Sequence, residues 1–216
     1  MKVSQSQKGF SLVELMVVIT ISTLLSAVAV VSSSRFNSTV LLTNLAYEIA
    51  FSIREAQSFG LNVREFAAGT EAATFNAGYG AHFFGRHENG NPNWNDYIIF
   101  ADFIAAGDKT GNFFYDGNED GGGEFVAKYT TKKGNFIDKF CGVKANGEEV
   151  CGGATDDTLD FLNIVFLRPN PDAIFASNLD LAFRAAKIYV RSPQNTVRVV
   201  RVENTGQITV CLEAGC

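Results

Sequence analysis

Residues 9–31 read GFSLVELMVVITISTLLSAVAVV, and this stretch decides how the rest of the chain is read. From Phe10 to Val31 it carries one charge, Glu14, and neither Pro nor Gly. Its length suits a membrane span, which needs about 20 apolar residues. The nine residues before Phe10, MKVSQSQKG, are polar and made basic by Lys2 and Lys8. Positive charge ahead of an apolar run keeps that end in the cytoplasm and sends the rest across.

Three ordinary readings compete. A secretory signal would be cut at small residues, and Ala27-Val28-Ala29 offers such a site. Its apolar region should be only about 7–15 residues long, however, and here Glu14 lies inside the run. A plain membrane anchor gains nothing from a carboxylate, which costs about 2.5–3.5 kcal/mol at a helix centre and less near its edge. A buried helix of a soluble protein would not explain the basic leader.

Lys8-Gly9-Phe10-Ser11-Leu12-Val13-Glu14 resembles the class III signal of type IV pilins and type II secretion pseudopilins. The resemblance implies cleavage between Gly9 and Phe10 by a prepilin peptidase, then N-methylation of Phe10. It gives Glu14 the part of the acidic residue used in assembly. An anion in an apolar place needs a partner, and the Phe10 amine of a neighbouring subunit would supply one. The implied partners are the peptidase, other pilin or pseudopilin subunits, an inner-membrane assembly platform, and membrane lipid before assembly. The implied location is the inner or cytoplasmic membrane, single-pass with the head outside the cytoplasm, then a periplasmic or cell-surface filament. One departure is visible: many major pilins carry a Pro about 22 residues into the mature helix, whereas the first Pro here is Pro92. No Pro kink is therefore expected.

Working outward, Leu42, Leu45, Ile49, Ile53 and Ala56 recur at spacings of three and four, one face of a helix. Asn44, Glu48, Ser52 and Glu55 fall on another face, and Gly60 is placed to cap the end. One long helix is expected, with residues 1–9 as leader, 10–31 as transmembrane or filament-core segment and 32–60 as amphipathic half.

Residues 61–216 read as a β-rich head. Gly, Asn and Asp punctuate short aromatic or β-branched runs. Strands are expected at Tyr79–Phe84, Tyr97–Phe103, Phe113–Tyr115, Phe125–Thr130, Leu159–Phe166, Ala186–Arg191, Val197–Glu203 and Ile208–Cys211. Asn204-Thr205-Gly206 should turn the last two into a hairpin. The expected fold class is α+β: a long N-terminal helix packed on a mainly antiparallel sheet. The order of the segments at 79–84, 97–103, 113–124, 162–170 and 198–210 resembles the GspH/FimT-like minor pilins and pseudopilins. That implies a low-abundance tip or priming subunit; a divergent major pilin is the alternative.

Composition agrees with a folded head. Hydrophobic residues make up 46% of the chain, so a core can be buried, and its 19 Phe make that core aromatic. A net charge of −5 argues against wholesale nucleic-acid binding. The four cysteines include no CxxC and there are only two histidines, His82 and His87, so zinc is a poor reading of the thiols. Four Cys allow three pairings; Cys141–Cys151 and Cys211–Cys216 are preferred because both close short loops, and Asn146-Gly147 signals a hairpin turn within the first. Four buried free thiols are the alternative.

Two further candidates lie in the head. Asp116-Gly117-Asn118-Glu119-Asp120-Gly121 matches the first half of an EF-hand loop, with Asp116, Asn118, Asp120 and Glu124 as candidate Ca²⁺ ligands. The twelfth position is Ala127 rather than Glu, and a solvated acidic turn is the alternative. No other cofactor is expected. Some FimT-like minor pilins bind DNA through basic C-terminal residues, which would fall on Arg191, Arg198 and Arg201; the spread of these charges, with Glu203 nearby, makes nucleic acid an unlikely partner. No enzyme motif is present: the sequence has no G-x-S-x-G, P-loop or HExxH, and Gly121-Gly122-Gly123 lacks the Lys of a phosphate loop. A structural rather than catalytic role is expected.

Overall fold

The computed structural model describes residues 9, 11–62, 77–103, 111–117, 123–153 and 158–216. The chain divides into two compact units, Met1–Thr39 and Val40–Cys216. Helix α1 (Leu12–Leu61) is continuous, as the lack of Pro and of interior Gly before Gly60 allows.

The second unit contains ten strands: β1 (Gly78–Phe84), β2 (Asp96–Asp102), β3 (Phe125–Thr130), β4 (Phe136–Val143), β5 (Glu149–Gly152), β6 (Phe161–Phe166), β7 (Ala173–Ser177), β8 (Ala185–Arg191), β9 (Val197–Glu203) and β10 (Ile208–Cys211). They form two antiparallel five-stranded sheets, ordered β3-β2-β1-β6-β7 and β10-β9-β8-β4-β5. The fold is α+β, as expected from the sequence.

One core joins the helix to both sheets. Leu42, Leu45, Ile49, Ile53 and Ala56 are all buried in it, beside Tyr79, Phe83, Phe140, Phe166, Ile188 and Val200. The predicted apolar stripe is thus the face that packs. Ser52, placed by spacing on a polar face, is buried instead. Its hydroxyl donates to the Ile49 carbonyl at 2.9 Å, so it accepts from the Tyr97 hydroxyl at 2.9 Å. Gln57 Nε2 donates to the carbonyls of Pro171 and Gly206, tying the helix to the second sheet's last hairpin.

Gly60 does not end the helix, which runs on to Leu61. A Cβ at Gly60 would overlap the Phe166 carbonyl oxygen. The glycine is there for close approach of helix to β6 rather than for a cap.

Phe113–Tyr115 is not a strand. Phe113 has φ of 66°, outside the extended region. The Phe113 N–H donates to Asp102 Oδ1 at 3.1 Å and the Phe114 N–H to Asn112 Oδ1 at 2.9 Å. Side chains take the place of ladder partners, and Phe113 and Tyr115 pack on Phe84, Ile98, Phe100 and Val165, on the face of the first sheet away from the helix. Leu159 and Asp160 precede β6 instead of beginning it. Three strands, β4, β5 and β7, were not expected as strands from the sequence.

Candidate functional site

The candidate site is the start of α1. The Ser11 carbonyl accepts the first helical hydrogen bond from Leu15 N–H at 3.1 Å. Glu14 lies in the first turn, where the helix dipole favours a carboxylate by about 0.3–1 kcal/mol. Gly9 is exposed, and no described atom lies within 4 Å of where its Cβ would stand. Phe10 lies outside the described residues.

Leu12–Val30 is long and apolar enough to cross a membrane, and every residue in it is exposed. Its two threonine hydroxyls are satisfied locally: Thr20 Oγ1 donates to the Val17 carbonyl at 2.8 Å and Thr23 Oγ1 to the Thr20 carbonyl at 2.9 Å. In lipid an unpaired hydroxyl finds no water, so this back-bonding suits an apolar surrounding. Glu14 is the one charged side chain in the span.

The cysteines pair as Cys141–Cys151 and Cys211–Cys216. Cys141 and Cys151 sit opposite each other on β4 and β5, which the turn at Gly147 (φ 86°) joins. Both pairs pack around Tyr189 and Val199 on one face of the second sheet. Among the described residues, the only metal-ligand set within reach of one ion is Cys141, Glu149 and Cys151, and its two sulfurs are spent in the disulfide.

Of the four candidate Ca²⁺ ligands, Asp116 and Glu124 lie among the described residues. Asn118 and Asp120 lie outside the described residues. Glu124 is buried and accepts the Phe103 N–H through Oε1 and the Asp116 N–H through Oε2, both at 2.9 Å. Asp116 accepts from Asn112 Nδ2 at 2.8 Å. Burial pushes the Glu124 carboxyl up to about 7 and that of Asp102 up to about 6, against the backbone donors that favour their anions. Both act as clamps on the 111–117 segment. Sequence reasoning missed Asp102; its signal was a carboxylate ending the apolar run Tyr97–Ala101.

The three arginines do not form one patch. In the β8–β9 register Arg191 faces Val197, Lys187 faces Arg201 and Val190 faces Arg198. Arg191 and Arg201 therefore share one sheet face and Arg198 lies on the other. Arg191 pairs with Asp138 at 2.6 Å and Arg201 with Glu203 at 2.6 Å. Arg198 donates to the Val197 carbonyl. His82 sits among the rings of Phe84, Tyr115 and Phe161, with Nδ1 2.6 Å from Asn163 Oδ1, a packing role.

Residues 4–30 match the family model described as the prokaryotic N-terminal methylation motif. No curated protein and no solved structure matches the chain. The match spans the basic leader, Gly9-Phe10, Glu14 and the exposed apolar helix together, and it supports a type IV pilin-like prepilin processed at its N-terminus.

Proposed function

We propose that this chain is a structural subunit, and a minor one, of a type IV pilus or type II secretion pseudopilus. It is made as a precursor, held in the membrane by Leu12–Val30 with the head outside the cytoplasm. A prepilin peptidase hydrolyses the Gly9–Phe10 peptide bond, and a methyl group replaces one hydrogen on the new Phe10 amine. Cleavage on the leader side leaves the apolar helix attached, so the product stays in the membrane. During assembly the Phe10 ammonium of one subunit meets Glu14 of its neighbour. That pairing removes the cost of a lone carboxylate in an apolar place and fixes the register of the two helices. The head's role is as cargo and contact surface, since its segments resemble those of GspH/FimT-like minor subunits.

The observation that carries this reading is Gly9-Phe10 with Glu14 in the first turn of an exposed apolar helix. N-terminal sequencing with intact mass, on protein from cells that hold their own prepilin peptidase, tests it. The expected product begins with N-methyl-Phe10. A mature chain beginning near Val30 would show signal-peptidase cleavage and overturn the proposal.

A further inference from the structure

Trp94 is the chain's only tryptophan. It sits in a turn that Asn93 locks from beneath. The buried Asn93 carboxamide donates to the carbonyls of Phe84 and Asp96 and accepts from the N–H groups of Asn95 and Asp96. The Trp94 carbonyl accepts from Ile137 N–H at 2.7 Å, fixing the turn to β4. Phe136 meets the indole at an interplanar angle of 89°, with ring centroids 5.7 Å apart. The ring is half-buried and braced by Phe136.

Beside it lies a cavity of about 480 Å³ lined by Trp94, Asn95, Thr131, Gly134, Asn135 and Phe136. That volume is in the range of small-molecule sites, which pair aromatic walls with a few fixed polar groups. Two carboxamides and one hydroxyl provide those groups here. Thr131 Oγ1 donates to Asn95 Oδ1 at 2.9 Å, which leaves the Asn95 amide hydrogens and the Thr131 lone pairs for a ligand. Asn135 is 4% exposed overall and its side chain lines the cavity. Among the described residues no acidic or basic side chain lines the cavity; Lys132 and Lys133 of the same turn are exposed and outside it.

We propose that this cavity binds a neutral saccharide of one or two pyranose rings. The aromatic wall suits the C–H face of a sugar ring. Adjacent carboxamides, each donor and acceptor, match the paired donor and acceptor character of neighbouring sugar hydroxyls. The uncharged lining selects against acidic sugars, and the locked turn lowers the ordering cost of binding. The inference stands on the head alone and is independent of how the N-terminus is processed.

The sole tryptophan gives the readout. The full chain is held in a zwitterionic detergent without a sugar headgroup. Its emission is titrated with maltose, lactose and N,N′-diacetylchitobiose, and with a uronate disaccharide and an aromatic tripeptide as competitors. A saturable emission change with at least one neutral sugar is expected, weakened about tenfold or more in Asn135→Leu. If that variant melts lower than the parent, Asn95→Ala, at an exposed position, takes its place and should weaken binding several-fold. No saturable change with any neutral sugar would sink the proposal. So would tighter binding of the uronate or the tripeptide, or unaltered affinity in a stably folded variant.

Discussion

Glu124 shows how one side chain does the work of a strand partner. Its two oxygens hold the N–H groups of Phe103 and Asp116, so one carboxylate ties the end of β2 to the 111–117 segment. Burial makes its charge costly, and the nearby Asp102 and Asp116 carboxylates add to that cost. Its folded pKa, about 7, stands above the ordinary 4.5, and that of Asp102, about 6, above 3.8. Between those values the folded head binds more protons than the unfolded chain, so the contribution of these groups to stability falls as pH rises. It is fully present below the unfolded values and lost by about pH 7. The size is on the order of 1–2 kcal/mol after discounting for solvent screening. Melting temperatures of the parent and Glu124→Gln across about pH 4.5–7.5 test this. The parent should lose stability relative to the variant as pH rises. A parent whose stability relative to the variant stays flat or rises over that window would show that folding does not raise the carboxyl's pKa.

At the scale of elements, the last turn of α1 is decided by contact rather than by propensity. Alanine normally stabilises a helix interior over glycine by about 1 kcal/mol. At Gly60 an added Cβ would overlap the Phe166 carbonyl of β6. Gly60→Ala is therefore expected to destabilise the head by about 1–3 kcal/mol, with the overpacking cost exceeding the helical gain. Chemical denaturation of the full chain in detergent measures the sign, and a more stable Gly60→Ala protein would mean the contact relaxes freely. The same limit explains which elements the sequence disclosed. The stripe Leu42 to Ala56 was legible because a helix repeats its buried face along the chain. β1, β2 and β6 were legible as near-continuous apolar runs, since the first sheet is covered on both faces by separate clusters. β4, Phe136–Val143, carries Asp138, Lys139 and Gly142 inside it, and its pattern breaks where its register with β8 shifts between Ile137 and Lys139. β5 and β7 are four and five residues long, too short to show a period. Phe113–Tyr115 read as a strand because aromatic content was visible and the Asp102 and Asn112 acceptors that bend it were not.

Across the whole molecule, legibility follows how far apart the contributing residues lie. The N-terminal motif is contiguous from Lys8 to Glu14, so its chemistry could be read directly. The wall of the Trp94 cavity draws on residues 94–95, 131 and 134–136, which strand pairing brings together. The division of the chain at Thr39 and Val40 carries a consequence for what folds alone. Val40–Cys216 includes the helical residues Leu42, Leu45, Ile49 and Ile53, each 7% exposed or less. At about 1.5–3 kcal/mol for each such side chain, their burial contributes about 6–12 kcal/mol, comparable to the whole stability of a typical domain, about 5–15 kcal/mol. A chain starting at Ser38 keeps this stripe, and Ser38 and Thr39 supply hydroxyls suited to capping the shortened helix. It lacks the exposed apolar span Leu12–Val30 and should be soluble without detergent, with one cooperative melt. A chain starting at Leu61 loses the stripe, leaves one face of both sheets uncovered, and should fail to give a cooperative transition. Circular dichroism melts of the two chains decide the matter. A cooperative melt in the shorter chain would show that the sheets hold each other without the helix, and would take the second half of α1 out of the head's core.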